Sequence, residues 1–361
     1  MHRLRRSLPL AAVLVALPAT LGMGAEPDLV KETLADGIVL FRAPGALDLW
    51  TATNVVVIVG DEDVTVFDTA TRPGTTRQIL AEIRKMTDKP VRTLVNSHWH
   101  MDHWTGNAEF RKAYPGVRIV STAATRDYLK RMGPGFFSSS AENSAKRGRE
   151  ELEEAVRTGK LTPEERRSKE RDIADATTLA KEMAEVRHVL PDVAFYGSMT
   201  LWSGSRELRL LEATGDATGS AVLYLPEEKI LVTGDVLVSP EDGNGPPPWT
   251  TNSYAITPWL ESLRRLAALD AKILVPGQGP AFHDEAYLER TIALYAAILD
   301  QVHAALERGL YELADVQAAV NVDEIGKGYT PGQPPGESFH RWVSILARKA
   351  YQESLDGVMR E

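Results

Sequence analysis

Apolar residues run almost unbroken through Thr53–Gly60 (TNVVVIVG) and Val64–Asp68 (VTVFD), separated by the acidic turn Asp61–Glu62–Asp63. That pattern predicts a hairpin of strands buried on both faces. The period then changes. Pro73 opens a stretch in which Ile79, Ile83 and Met86 recur at helical spacing, and Pro90 precedes a further strand, Val91–Val95. This strand runs into the polar segment NSHWHMDHWTGN. Strand, helix, strand and polar loop is the order in which α/β sheets present chemistry beyond the carboxyl ends of their strands. Val117–Val120 reads as one more short strand.

From about Ala123 to His188 the strand signal disappears and the chain becomes charged and Ala-rich, which predicts a helical insertion over about 123–190. Within it, Thr162-Pro163-Glu164-Glu165 supplies a capping Thr, a Pro at the first helical position and a Glu three residues after the cap. The loop Gly133-Pro134-Gly135 leads into Phe136 and Phe137, which are expected to pack the insertion down rather than line a pocket. Strand patterns resume at Met199–Trp202, Glu207–Glu212, Ala221–Leu225 and Ile230–Thr233. Thr257 and Pro258 start a helix, Ile273–Val275 forms a last strand, and from Asp284 onward Leu294, Ile298 and Val302 mark one face of a helical tail. Two β-rich stretches, each followed by helices, predict an α/β fold: an αββα sandwich of two related halves with a helical insertion and C-terminal helices.

With 361 residues, 43% of them hydrophobic and 25% charged, the chain is long enough for a full core and has no composition of wholesale disorder. Its first residues place Arg3, Arg5 and Arg6 before an apolar run, Leu8–Leu17, followed by the small residues Gly22, Gly24 and Ala25. This is the layout of a secretory signal peptide over 1–25, which implies export to the periplasm or the medium. The competing reading is an uncleaved anchor extending to Met23, but the unbroken apolar core falls short of the ~20 residues a span needs. No integral membrane domain is then expected after cleavage. The expected organisation is a leader over 1–25, a main domain over 26–282 and a helical extension over 283–361.

There is no cysteine, so neither disulfides nor thiolate ligands are available, and any metal must be held by nitrogen and oxygen. The net charge of −9 argues against nucleic acid or an anionic membrane surface as a partner. A small-molecule substrate is expected instead. The mixed-sign run Arg147–Lys181 reads as a solvated helix surface.

His98, His100, Asp102 and His103 place four ligand-type side chains in six residues. Two histidines two apart at a strand end can aim their imidazoles to one side, while Asp102 and His103, past the turn, can face a neighbouring point. One loop could therefore serve two metal ions.

These residues, with Asp68 closing TVFDTA, TGDVL carrying Asp235 and the later loop VPGQGP, resemble the metallo-β-lactamase superfamily from about Val30 to Pro280. The C-terminal helices resemble a branch of it with long helical tails. The resemblance implies a first metal site of His98, His100, Asp216 and Asp235, and a second of Asp102, His103, Asp235 and Gln278. Asp235 bridges the two, and Asp68 supports the loop from behind.

Two departures stand out. Asp216 lies where the family's third motif has a histidine, and Gln278 replaces the histidine of its last loop. A neutral amide is a poor zinc donor, so one firm Zn2+ and a second weak or absent ion are expected. A carboxylate-rich cluster would also admit iron or manganese. Asp216 itself reads either as a ligand or as a loop carboxylate. His283 reads either as the missing imidazole or as a surface residue at a helix start, the latter being preferred.

The resemblance implies a hydrolase that attacks an ester, lactone, thioester or amide bond through a metal-bound hydroxide, with Asp102 orienting the water. β-Lactamase activity itself is not expected without the two histidines. Trp50, Trp99, Trp104, Trp249 and Tyr254 flank the motif loops and are candidate substrate contacts, with core packing an equal alternative. The alternative function is a metal-binding or ligand-binding module of this fold that has lost turnover. The sequence carries no signal of oligomeric state.

Overall fold

Strands β1 (Val30–Ala35), β2 (Ile38–Arg42), β3 (Val55–Val59), β4 (Val64–Phe67), β5 (Val91–Val95), β6 (Arg118–Thr122) and β7 (Val193–Phe195) form one sheet in that spatial order. The first four are antiparallel neighbours, and β4 to β7 run parallel. The second sheet has the order β12 (Ile273–Val275), β11 (Ile230–Val232), β10 (Ser220–Leu225), β9 (Arg206–Ala213) and β8 (Ser198–Ser203). This computed structural model describes residues 29–43, 53–133, 135–159, 161–240, 255–328 and 335–358. The predicted leader, Trp50, Trp249 and Tyr254 lie outside them.

Side-chain alternation assembles these sheets into four layers. Ile38, Leu40, Val56 and Ile58 point from the first sheet toward Leu208, Leu210, Leu223 and Ile230 of the second, making the central core. Their sequence neighbours Val39, Phe41, Val55 and Val57 point the other way, onto Ile79 and Ile83 of α1 (Pro73–Met86) and Phe110 of α3 (Asn107–Ala113). On the outer face of the second sheet, Val222, Tyr224 and Leu231 pack against α7 (Ile256–Ala267), α8 (Ala286–Glu307) and α11 (Glu337–Val358). Burial on both faces explains why the inner strands read as continuous apolar runs. The fold is the αββα sandwich expected from the sequence, and the C-terminal helices share the core of its outer layer.

The insertion comprises α4 (Ala123–Met132), α5 (Phe136–Arg157) and α6 (Pro163–Glu185). The reciprocal capping box is present, with the Thr162 side chain accepting from Glu165 N–H and Glu165 accepting from Thr162 N–H at 2.7 Å. Arg72 ties α6 to the loop after β4 through two bonds to Glu182, at 2.8 and 2.7 Å. The expectation that Phe136 packs is corrected, since the residue is 47% exposed at the start of α5. Two adjacent aromatics at a helix start do not by themselves fix which side of the helix they occupy, so the local pattern could not tell a packed ring from an exposed one. No described helix is long and apolar enough to cross a membrane.

Candidate metal centre

The site forms where β4, β5 and β11 end. β4 closes on Asp68, whose backbone adopts the left-handed conformation at φ 60°. Its Oδ1 accepts from Ser97 N–H at 2.7 Å, and its Oδ2 lies 2.7 Å from His103 Nδ1. Asp68 thus braces the histidine loop from beneath. Asn96 fixes the same loop by donating to His103 O at 3.0 Å and exchanging bonds with Asn107. α2 (Met101–Trp104) begins directly after His100 and turns Asp102 and His103 inward.

The second sheet supplies the opposing carboxylates. After β11 a 3-10 turn, Gly234–Val236, carries Asp235, and Asp216 N–H donates to Asp235 O at 3.1 Å, which holds the β9–β10 loop against it. Gly234 sits at φ 51°, and a Cβ there would meet Ser97 Cβ at 2.6 Å, so only glycine lets this turn approach the histidine loop.

Two groups of donor atoms result. His98, His100, Asp216 and Asp235 each offer one atom within 4.8 Å of the others, and so do Asp102, His103 and Asp235. In the first group His98 Nε2 is 2.8 Å from His100 Nδ1 and 3.7 Å from Asp235 Oδ2, and His100 Nδ1 is 3.3 Å from Asp216 Oδ2. In the second, His103 Nε2 is 2.9 Å from Asp102 Oδ2 and 3.4 Å from Asp235 Oδ2. All six side chains are buried.

Electrostatics are correspondingly perturbed. Burial, reinforced by Asp102 and Asp216, raises the Asp235 carboxyl to about 7 against the opposing pull of His103. Burial and the neighbouring imidazoles push His98 well down. Burial would also lower His103, but Asp102, Asp235 and Asp68 outweigh it and raise this imidazole well above its ordinary value.

Among the buried atoms here without a hydrogen-bond partner are Asp235 Oδ1 and Gln278 Oε1. His103 Nε2 faces Asp102 Oδ2 and Asp235 Oδ2 at 2.9 and 3.4 Å. Buried polar atoms left open around acidic groups are what a divalent cation satisfies, and a donor set of nitrogen and oxygen suits zinc, iron or manganese. The residues therefore fit a metal.

Asp102 meets Gln278, which the motif positions had brought to it, and Thr53, which the sequence reading missed. Its Oδ2 accepts from Thr53 Oγ1 and from Gln278 Nε2, the latter at 3.1 Å. Asn54 N–H donates to Gly277 O at 2.8 Å, and Asn54 Nδ2 donates to Pro276 O and Gly279 O at 2.7 and 2.9 Å, so the last loop is stapled to the start of β3. Two polar residues leading an otherwise apolar strand were the available signal. Lys349 of α11 was missed as well. It is buried near Asp216 and Glu353, and burial lowers its pKa against both carboxylates.

Of the candidate aromatics within the described residues, Trp99 stacks on Tyr128 and sets its edge against His100, with ring centroids 5.5 and 4.2 Å apart. Trp104 is a packing residue rather than a pocket wall. It is 3% exposed, gives its indole N–H to Trp99 O and lies against His188. His283 is on the surface, 3.6 Å from Glu32, as preferred.

A family model described as the metallo-beta-lactamase superfamily matches residues 48–278. A linear primary-alkylsulfatase from Pseudomonas sp. (strain ATCC 19151) is 25% identical over 311 residues, 83% of this chain and 55% of that protein. The alpha subunit of a 2,4-dinitroanisole O-demethylase from Nocardioides sp. (strain JS1661) is 24% identical over 63% of this chain and 54% of its own. The chain thus spans about half the length of these curated relatives. Among solved structures, the stereoselective inverting sec-alkylsulfatase Pisa1 from Pseudomonas sp. superposes with a TM-score of 0.60 at 18% identity, over 91% of this chain and 50% of that one. A metallo-beta-lactamase from Pontibacter korlensis gives 0.51 at 20% identity, over 74% of this chain and 99% of its own.

Proposed function

The chain belongs to the metallo-beta-lactamase superfamily, and on that premise we propose that it is a metal-dependent hydrolase of an ester bond. The observation that carries this reading is the buried cluster of His98, His100, Asp216 and Asp235, whose ligand atoms lie within 4.8 Å of one another. A divalent ion held there supplies Lewis acidity and lowers the pKa of water bound to it.

The protein's own residues do the rest. His98 and His100 present neutral nitrogens, because burial disfavours their protonated forms. Asp216 and Asp235 supply the negative charge a cation needs. Asp102 stands beside them as the proton acceptor, fixed by Thr53 and Gln278, while Asp68 and His103 hold the loop in register. Among the described candidates, Trp99 is the substrate contact beside the cluster, its ring against His100.

Primary alkyl sulfates are the first esters to assay, for two reasons. The 25% identical relative is named for that substrate, and the alkylsulfatase superposition extends over 91% of the chain. Lactones, thioesters and amides follow. Zinc is the first metal to test, with iron and manganese after it. We also propose that residues 1–25 act as an export leader, which sequencing the N-terminus of the mature protein would test.

The reading is tested by elemental analysis of protein purified without chelators, for wild type, His100→Ala and Asp216→Ala, followed by hydrolysis assays. Bound metal in wild type, lost from both variants together with ester hydrolysis, is the expected result. Metal-loaded protein that hydrolyses no ester would instead support a binding module that has lost turnover, a reading that the amide at Gln278 favours.

A further inference from the structure

The hydrogen bonds onto Asp102 bear on how many ions the centre holds. Thr53 Oγ1 and Gln278 Nε2 both donate to the same oxygen, Oδ2, and all three residues are buried at 2% exposure or less. Neither donor is free to move away. Thr53 and Gln278 form an antiparallel backbone bridge, Asn54 staples the loop on both sides of Gln278, and Ser239 N–H donates to Gln278 O at 3.1 Å.

A carboxylate oxygen engaged by two donors has less charge to offer a cation, and drawing it away would leave two buried donors unpaired. An amide nitrogen has no lone pair to replace the one that an imidazole would give. The opposite amide orientation would set Gln278 Oε1 against Asp102 Oδ2, two acceptors about 3.1 Å apart that only an intervening cation would reconcile.

We propose that Thr53 and Gln278 form a hydrogen-bond clamp on Asp102 that makes the two cation positions unequal, the one at Asp102, His103 and Asp235 being at least about tenfold weaker than the one at His98, His100, Asp216 and Asp235. This rests on the metal-dependent reading above and adds what sets the asymmetry. Thr53 is then a positioning residue, acting only through Asp102.

The test titrates cobalt(II) into the metal-free full chain, following visible absorption and bound metal by equilibrium dialysis. Wild type is expected to fill one position first and the second at least about tenfold more weakly. Thr53→Val and Gln278→Leu each remove one donor without adding a ligand. Both are expected to tighten the second position severalfold and to leave the first unchanged, while Thr53→Ser behaves as wild type. If one of the two variants does not fold, the other carries the test. Two equal positions in wild type, or variants that weaken the second position or leave it unmoved, would overturn the clamp and leave the metal-dependent reading intact. No cobalt uptake by wild type would overturn both.

Discussion

Gly277 approaches Asp235 so closely that a Cβ on it would stand 1.9 Å from Asp235 Oδ1. The last loop can reach the centre only because this residue has no side chain, and the conflict would fall on a rigid carboxylate and backbone rather than on a flexible chain end. Gly277→Ala is therefore expected to destabilise the fold by about 1–3 kcal/mol, the usual cost of overpacking a filled interior. It should also cut metal uptake at least about tenfold, since Asp235 belongs to both donor groups. Thermal denaturation and elemental analysis of the variant check the two effects separately.

Asp68 offers a contrasting case, because it touches no proposed ligand atom other than through His103. Replacing it with Ala leaves the Ser97 N–H and the His103 Nδ1 side without their buried acceptor. A loss of about 3–5 kcal/mol is expected, as for breaking a buried charged pair from one side. Asp68→Asn keeps the volume and one acceptor oxygen and should cost less. Denaturant unfolding of both variants gives the ordering, and equal stabilities for the two would rule this account out.

Metal uptake should depend steeply on pH. Without an ion, Asp235 keeps its proton up to about 7, because burial and the charges of Asp102 and Asp216 disfavour its ionised form. An incoming cation must displace that proton. Affinity from this one group should fall by up to about tenfold per pH unit below 7 and level off above it. His98 contributes no such release, being held neutral by burial. The same shift acts on the metal-free fold. Asp235 contributes stability below its ordinary value of 3.8, and that contribution is lost as pH rises through about 7. For the first ion, at His98, His100, Asp216 and Asp235, calorimetric titrations in buffers of different ionisation enthalpy should count close to one proton released at pH 6 and fewer at pH 8.

What the sequence made legible follows from how local each signal is. The runs at Val55–Val59 and Val64–Phe67 are buried on both faces, so periodicity alone located them. Thr162 and Glu165 make their cap within four residues. The His98–His103 loop announces its own chemistry, and motif positions brought Asp216, Asp235 and Gln278 to it. Harder to read were contacts made across the fold. Thr53 meets Asp102 across 49 residues, and nothing in its own neighbourhood announces that contact. Lys349 reaches the vicinity of Asp216 only because α11 folds back over the second sheet. Trp104 flanks the motif as closely in sequence as Trp99 does, yet the turn of α2 buries one and leaves the other half-exposed against Tyr128.

The same fold-back makes the C-terminal helix a structural requirement of the region next to the centre. Glu353 of α11 accepts from the backbone N–H of Ile256 and, at 3.0 Å, from that of Thr257, the first two residues of α7. It thus does for α7 what a capping side chain normally does from within the helix, since Ala255 at the N-cap offers no side-chain acceptor. A carboxylate there also faces the positive end of the helix dipole. Trp259 of α7 in turn donates to Val236 O, one residue beyond Asp235. Glu353→Ala should therefore destabilise the fold by about 1–2 kcal/mol, the range of a lost cap. Glu353→Gln, which keeps an acceptor oxygen but no charge, should recover about half. If α7 holds the Asp235 turn as this chain of contacts requires, hydrogen exchange at Ile256, Thr257 and Val236 should accelerate together in Glu353→Ala; acceleration confined to Ile256 and Thr257 would show that the cap stops at α7.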